Sequence, residues 1–529
     1  MNLKDFLNKC RRKQYSNYEP TYEWFKLDRS NIIEIASNQK DIVKVIDRYK
    51  NFYQFQNKNG LFDKNNNKFI DLCYGSVTIN EKYIPILNHP LMIRLMDLNQ
   101  LSLTYKFYFS ATHNRFSHSI GTYKKITDII DHLKTFSDVK DFITKNEDLL
   151  KIYALVHDIG ALPFAHSLDY VFKSNDKIRL KEILSNDKDL GGIISTILEE
   201  NGVSFKKFLA IATTDSEKVK MKDFSDLDIT LSDLDILLMK CMDSPLDADR
   251  FDWLQRDILL CKKDSIQGQI DAIVSNMRPF RNEEGNWIIG HRTNTNIEKT
   301  NIKEGDKTIL QVKHDTHPHS VLEIIELLHR RHQMYTGVYE LDRKVILEEL
   351  IGRLLYQLFD SNQIDTKELC SFSEGMILNL IIEYSNPTQD EMLRKALFGH
   401  DYKLIFNQSI RESRDTNRSI PNILDLKTDI KSRIAKEDFL CSECGLNKNS
   451  IIMHFPKKFM SDVNEIVLVD NNLETYHLED DENYKAIKYI DEKNASEVQI
   501  FLLDDGNGRF FDKKQKAIKE IREHIYSES

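Results

Sequence analysis

The stretch Ala154-Leu155-Val156-His157-Asp158-Ile159-Gly160 places an imidazole and a carboxylate side by side in an apolar run that predicts a helix. Burying either group costs free energy unless something binds it. A divalent metal ion is the partner that best suits a histidine beside an aspartate. Because neighbouring side chains on a helix diverge by about 100°, further ligands must come from other segments.

Two further segments supply suitable ligands. His118 lies upstream in a run that also contains Arg115, and Asp249 lies downstream in an aspartate-rich run. Each residue alone has a simpler interpretation, such as a hydrogen-bonded core histidine or an aspartate that caps a helix. The combination of His118, His157, Asp158 and Asp249 favours a metal site.

Length and composition are those of a soluble globular protein. The chain has 529 residues, 41% of them hydrophobic and 30% charged, which allows roughly two to four domains and a large core. No apolar stretch approaches the roughly 18 residues that a membrane span needs. The first residues, Met1–Phe6, include an acid and lack an apolar segment, so we expect no secretory signal and a cytoplasmic location.

Charge and cysteine content argue against two other classes. The net charge of −9 does not favour nucleic-acid binding through bulk electrostatics, and the basic run at 513–516 is more typical of a solvated helix face. The seven cysteines are scattered, unlike a disulfide framework. Cys441 and Cys444 form one CxxC motif, but the second CxxC motif that a structural zinc site would need is not found nearby.

The apolar spacing predicts a mainly α protein with four regions. Residues 1–68 read as an N-terminal extension, and from Pro90 leucines recur at helical spacing through Leu101. Two short strand patterns near 285–313 predict a small β insertion. We expect a core at 69–345, a helical region at 346–435 and an α+β C-terminal subdomain at 436–529.

Six blocks between about 69 and 345 are similar in sequence and order to the HD-domain deoxynucleoside triphosphate (dNTP) triphosphohydrolases. This family includes the bacterial dGTPases and the eukaryotic enzyme that joins a SAM domain to an HD domain. The matching blocks are Phe69–Gly75, Pro90–Leu101, His113–Gly121, Ala154–Gly160, Asp247–Asp257 and Arg331–Tyr339.

The resemblance implies an HD-domain helical core that binds a divalent metal through His118, His157, Asp158 and Asp249. By ligand softness, such a mixed shell suits Mn²⁺, Fe²⁺ or Zn²⁺ better than Mg²⁺, while a second Mg²⁺ bound to substrate phosphates is compatible. The implied reaction is attack of water on the α-phosphorus of a dNTP, which releases a deoxynucleoside and inorganic triphosphate. Relatives commonly form homo-oligomers, so we expect one here.

Three arginines are candidates for holding the triphosphate. Arg115 and Arg331 lie in matching blocks, and a guanidinium group matches phosphate oxygens. Arg250 resembles a residue that contacts phosphates. The simpler interpretation of each is an ordinary ion pair.

Four further residues resemble those that bind the sugar or base. Asp257 matches a position that contacts the sugar. Gln100 and Tyr339 match residues that hold the 3′-hydroxyl and press against C2′, which would exclude ribonucleotides. Trp253 stands where the family has tyrosine, and it could stack or only fill space.

The chain departs from the family at its catalytic acid. Ala161 occupies the position of the last histidine in the family's HDIGH pattern, and no histidine lies between Lys173 and Glu200. His166 and Asp169 could instead orient water or donate a proton, and together with Arg115 they are the candidate catalytic residues. Loss of that acid motivates an alternative, a nucleotide-gated binding or regulatory protein with weak or no turnover. Another HD phosphohydrolase activity is a third possibility.

Overall fold

Helices dominate the part of the chain that the structure describes. In this computed structural model the described residues are 60–63, 65, 67–164, 169–172, 175–186, 188–214, 229–282, 285–304, 307–360, 369–384, 402–409, 423–456, 463–484, 496–504 and 510–524.

Eighteen α-helices lie in these residues, which confirms the mainly α prediction. They are α1 (Ile84–Leu87), α2 (Pro90–Arg94), α3 (Arg115–Leu133), α4 (Ser137–Lys145), α5 (Glu147–Val156), α6 (Asp169–Phe172), α7 (Asp176–Asn186), α8 (Lys188–Glu199), α9 (Phe205–Thr213), α10 (Asp233–Lys240), α11 (Ala248–Lys262), α12 (Gln267–Asn276), α13 (His319–Met334), α14 (Asp342–Asp360), α15 (Glu374–Tyr384), α16 (Ile423–Thr428), α17 (Ile430–Cys444) and α18 (Phe510–His524).

The described strands form four small sheets, with the orders β1-β2, β10-β9-β4-β3, β7-β11-β8 and β5-β6. Their bounds are β1 (Lys68–Asp71), β2 (Gly75–Thr78), β3 (Met277–Arg281), β4 (Trp287–Arg292), β5 (Ile297–Glu304), β6 (Lys307–His314), β7 (Tyr402–Ser409), β8 (Ile451–His454), β9 (Val467–Val469), β10 (Thr475–His477) and β11 (Ser496–Leu503). The small β insertion predicted near 285–313 corresponds to β4, β5 and β6.

The centre of the helical core is α3, which packs against α5 and α11. Asn114 caps α3 by accepting a hydrogen bond from Ser117 N. One face of α3 is fully buried, with Ile126, Ile129 and Ile130 at 0% exposure. Helices α3 and α11 approach closely because a glycine, Gly121, lies between them: a Cβ there would come within 1.8 Å of Asp252 Oδ1.

The leucine spacing from Pro90 to Leu101 predicts a longer helix than the structure contains. Helix α2 ends at Arg94, and 3₁₀ turns follow at Leu95–Asp97 and Ser102–Lys106. Between them Leu98 is extended, and Asn99 forms a β-bridge with Asn114. Pairing with the start of α3 outweighs local helix propensity here.

The C-terminal region divides between two sheets. Strands β8 and β11 pair with each other, and β11 also pairs with β7, a strand within the region predicted to be helical. Strand β9 instead pairs in parallel with β4, so the β insertion and the C-terminal strands share a sheet. Local patterns identify strands but not their partners. The predicted region boundaries stay predictions, and residues 1–59 of the predicted extension lie outside the described part.

None of the helices in the described residues is both long and apolar enough to cross a membrane.

Candidate metal centre and substrate site

The structure brings the four predicted metal ligands together from three elements. His118 lies on α3, His157 and Asp158 follow α5, and Asp249 lies in the first turn of α11. His118 Nε2 is 3.2 Å from His157 Nε2 and 2.9 Å from Asp249 Oδ1. Asp158 Oδ2 is 3.9 Å from His118 Nε2 and 3.8 Å from His157 Nε2. His118, His157 and Asp158 thus each offer an atom within 4.8 Å of the other two.

His157 and Asp158 lie just beyond the helix rather than inside it. Helix α5 ends at Val156, and His157 is its C-cap. The His157 ring uses Nδ1 for a hydrogen bond of 2.9 Å to the carbonyl of Ala154. Because a carbonyl only accepts, Nδ1 carries the proton, and the Nε2 lone pair points toward the cluster.

A buried carboxylate also turns Nε2 of the second histidine, His118, toward the cluster. His118 Nδ1 lies 2.7 Å from Asp252 Oδ2, and Asp252 is 0% exposed. Arg256 binds both oxygens of Asp252, at 3.0 and 2.9 Å, and also reaches Asp71 on β1 at 2.8 Å. The ring of His118 therefore presents Nε2 to the cluster, as a metal-binding histidine requires.

The electrostatics of the cluster favour a cation. Burial lowers the pKa of His118, but hydrogen bonds to Asp249 and Asp252 outweigh it and raise the pKa to about 10. Burial raises the pKa of Asp249, yet the two histidines hold it well below its usual value. Asp158 Oδ2 is buried and accepts no hydrogen bond from the described residues. Two imidazoles and two carboxylates, one of which has an oxygen without a hydrogen bond, fit a divalent ion with mixed nitrogen and oxygen ligands.

Arg115 borders the cluster directly. Its Nη1 is 2.7 Å from Asp158 Oδ1, and its side chain is buried. Burial raises the pKa of Asp158, but the positive charge of Arg115 and of the two histidines lowers it below its usual value. A fixed cation at the rim of a metal cluster could contact a phosphate group without leaving its place.

Glycine at position 160 allows the turn after Asp158 to pack. A Cβ there would lie 2.8 Å from the carbonyl of Asp176 at the start of α7. Arg179 Nε donates to the carbonyl of Gly160 at 2.6 Å, and Arg94 Nη2 donates to the carbonyl of Ala161 at 2.8 Å. Ala161 is 1% exposed, so its side chain is enclosed by packing.

A second group of predicted residues lines the same face of α11. Asp249, Trp253 and Asp257 are spaced by four residues, so they lie one above the other. The rings of Trp253 and Tyr339 are 6.0 Å apart, and Tyr339 donates a hydrogen bond to Asp257. The guanidinium of Arg331 lies 6.0 Å from the centre of the Trp253 ring.

The main chain of Gln100 is connected to this group by way of His113. Its N–H donates to the carbonyl of His113 at 2.9 Å, and His113 Nε2 is 2.7 Å from Asp257 Oδ1. Gln100 Oε1 is buried and has no hydrogen-bond partner in the described residues.

Three predicted residues are placed elsewhere or are not described. Arg250 Nη1 donates to Ser244 O and Asp247 Oδ2, both at 2.6 Å, at the N-terminal end of α11. His166 lies outside the described residues, as does the side chain of Asp169, whose backbone begins α6.

Sequence reasoning missed the residues that support these side chains. Asp252 and Arg256 stand four apart on α11, a spacing that predicts an ion pair, but nothing local connects them to His118. His113 precedes Arg115 and His118 in the block His113–Gly121, yet its contact with Asp257 spans 144 residues.

The class of protein is visible in both fold and sequence. Residues 115–240 match the HD domain family. The chain therefore contains an HD domain, and His118, His157 and Asp158 all lie within it. HD domains bind divalent metals.

Relatives of the chain include dNTP triphosphohydrolases. The chain is 24% identical to the deoxynucleoside triphosphate triphosphohydrolase SAMHD1 homolog of Dictyostelium discoideum over 215 residues, 40% of each protein. It is 24% identical over 330 residues to an uncharacterized protein of Methanocaldococcus jannaschii, which covers 62% of this chain and 58% of the relative. The chain thus spans about half the length of these relatives.

Similarity to a solved structure extends over most of the fold. The crystal structure of a hypothetical protein from Aquifex aeolicus matches with a TM-score of 0.56 and 16% identity. The match covers 85% of this chain and 99% of that one, so the overall architecture is shared.

Proposed function

We propose that the protein is a metal-dependent dNTP triphosphohydrolase, similar to the bacterial dGTPases, that releases a deoxynucleoside and inorganic triphosphate. The carrying observation is the cluster of His118, His157, Asp158 and Asp249 with Arg115 at its rim. The activity named for the SAMHD1 relatives supports this choice.

The four cluster residues would hold the metal, with Mn²⁺, Fe²⁺ or Zn²⁺ suited to their donor atoms. When bound, such an ion lowers the pKa of a water molecule and offsets charge on the attacked phosphate. Arg115 would grip the phosphates beside the cluster, and Arg331 would do so from α13. Phosphate oxygens could additionally carry Mg²⁺.

The group around Asp257 would hold the nucleoside. Trp253 and Tyr339 offer two aromatic faces, and Asp257 together with the unpartnered Oε1 of Gln100 offers acceptors for a sugar hydroxyl. His113 holds Asp257 in place. Arg250 is engaged with Asp247, and it would have to leave that pair to reach a phosphate. His166 and Asp169 are proposed to orient water or donate the proton to the leaving group.

Ala161 favours a second candidate, a nucleotide-gated regulatory protein with weak or no turnover. Its enclosed methyl group can donate no proton, so the leaving group needs another acid. For either candidate we propose a cytoplasmic homo-oligomer.

One experiment separates the two candidates. The purified protein is analysed for metals and then given each of the four dNTPs with Mn²⁺, Fe²⁺, Zn²⁺ or Mg²⁺, while released triphosphate and deoxynucleoside are measured. We expect turnover that Asp158→Ala abolishes and that Asp141→Ala, at an exposed site on α4, leaves unchanged. Nucleotide binding without turnover under all conditions would favour the regulatory candidate.

A further inference from the structure

A buried carboxylate from outside the six matching blocks connects two segments of the site. Glu374 lies in the first turn of α15 and is 6% exposed. Its Oε2 accepts a hydrogen bond of 2.5 Å from Asn99 Nδ2, and its Oε1 accepts one of 3.4 Å from the N–H of Phe164. These partners are 65 residues apart in sequence, and both are more than 200 residues away from Glu374 in the chain.

Asn99 belongs to the segment that carries Gln100 and borders Arg115. Asn99 forms a β-bridge with Asn114, and Arg115 N donates to the carbonyl of Leu98 at 2.9 Å. Holding Asn99 therefore holds both the start of α3 and Gln100.

Phe164 lies in the turns that follow His157 and Asp158. Its φ of 66° is left-handed, a strained conformation for a residue other than glycine. Arg94 braces the same turn, since it donates to the carbonyls of Ala161 and Phe372, each at 2.8 Å. The segment that leads into α15 thus supports the turn at several points.

The ionisation of Glu374 matters because both of its partners are donors. Burial raises its pKa to about 7, while the hydrogen bonds from Asn99 and Phe164 and the charge of Arg115 oppose that rise. Among the described residues, Tyr105 also faces Glu374, and a neutral tyrosine brings no positive charge to it. A carboxylate accepts from both partners and carries no donor, whereas an amide side chain would turn an N–H toward one of them.

We propose that Glu374 is a positioning residue of this site: it ties the Asn99 segment to the turn after Asp158 and so holds Arg115 and Gln100 for a triphosphate-bearing ligand. The inference rests on the proposed function for the nature of that ligand. Glu374 acts through Asn99 and the main chain of Phe164, and it makes no contact with the metal cluster through the bonds described above.

The test compares Glu374→Gln with Glu437→Gln. Glu437 is a matched control because it is 1% exposed and accepts from Arg353 and from Met453 N on β8, in the C-terminal region. Binding of Mn²⁺ and of inorganic triphosphate with Mn²⁺ is measured by calorimetry. We expect Glu374→Gln to weaken triphosphate binding about tenfold at pH 8, to change Mn²⁺ binding less than twofold, and to differ little from the parent at pH 6, where Glu374 is protonated.

A purely structural role would change the affinities for Mn²⁺ and for triphosphate together. It would not make the loss of triphosphate affinity depend on pH. Triphosphate affinity equal to the parent's at pH 8 would overturn the inference, even in a protein that hydrolyses dNTPs. Weakened affinity in a protein that hydrolyses none would support it and overturn the proposed hydrolysis. No triphosphate binding by the parent would overturn the inference, and the dNTP assay would still decide the proposed hydrolysis. If Glu374→Gln does not fold, Asn99→Ala removes the shorter of the two hydrogen bonds and must weaken triphosphate binding at pH 8 while Mn²⁺ binding changes less than twofold.

Discussion

At the scale of single residues, the orientation of His118 depends on a glycine. Gly121 lies one turn after His118 on α3, and any Cβ there would meet the carboxylate of Asp252 and the guanidinium of Arg256. Asp252 holds His118 Nδ1, and Arg256 in turn holds Asp252. A methyl group at 121 must therefore displace the support of a candidate metal ligand.

We expect Gly121→Ala to weaken Mn²⁺ binding at least tenfold and to lower the free energy of unfolding by about 2 kcal/mol or more. Gly192→Ala is the control, because Gly192 is also helical and nothing lies within 4 Å of its Cβ position. This substitution should raise stability by about 0.5–1 kcal/mol. Urea denaturation and calorimetry measure both effects, and equal behaviour of the two variants would contradict the close approach of α3 and α11.

A second residue-scale prediction concerns Asp252 itself. Asp252→Asn keeps the shape but removes the charge that Arg256 and His118 share, so His118 loses its fixed ring orientation. We expect a 10- to 100-fold loss of Mn²⁺ affinity, measured by calorimetry. Asp141→Asn, at an exposed site on α4, is the control. Unchanged affinity in Asp252→Asn would mean that the ring is held by other contacts.

At the scale of elements, a histidine on β8 connects the C-terminal sheet to the core helices. His454 Nδ1 lies 2.9 Å from Glu349 on α14, and its Nε2 lies 2.8 Å from Glu340, which follows Tyr339. Burial lowers the pKa of His454, but these two carboxylates outweigh it and raise the pKa to about 9. The contact thus fixes the chain directly after a candidate nucleoside-binding residue.

This contact predicts a pH dependence of stability. Because the pKa of His454 is higher in the folded state than in the unfolded state, its contribution is complete below about pH 6.5 and is lost as the pH rises through about 9. We expect the free energy of unfolding to fall on the order of 2 kcal/mol across that range.

Denaturant titrations at pH 6 and pH 9.5 measure the effect. His454→Gln should reduce the fall by the share of His454, while His118, whose pKa is raised to about 10, contributes in the same direction. His477→Gln, at an exposed site on β10, should retain the full fall. If both variants keep the parent's pH dependence, the bridge between β8 and α14 does not contribute as described.

At the scale of the whole molecule, metal binding and folding should be coupled. The candidate ligands come from α3, from the turn after α5 and from α11, and these segments converge only in the folded chain. An ion that binds the folded state stabilises it by about 2.7 kcal/mol at 100 times its dissociation constant.

We therefore expect Mn²⁺ to raise the melting temperature by several degrees and a chelator to reverse the rise. Differential scanning calorimetry measures both. Asp249→Ala should lose the response, while Glu437→Gln, which alters a more deeply buried ion pair on α17, should keep it although its own stability is lower. A rise of the same size in Asp249→Ala would place the ion elsewhere.

Much of the fold class and the candidate site could be predicted from local patterns. Apolar spacing indicates helices, the adjacent His157 and Asp158 indicate a metal site, and ordered blocks supply the other candidates. The structure brings His118 and Asp249 to that pair, and it places Trp253, Asp257 and Tyr339 in a second group. That they bind a metal and a nucleotide stays a prediction.

Only the tertiary structure determines which residues hold the site residues in place. Glu374 meets Asn99 across 275 residues, His113 meets Asp257 across 144, and β9 joins the distant strand β4 as well as its sequence neighbour β10. Helix periodicity and motif spacing are properties of short segments, and they follow from backbone geometry. Which carboxylate orients which histidine depends instead on how distant segments pack, and no local pattern in the chain carries that information.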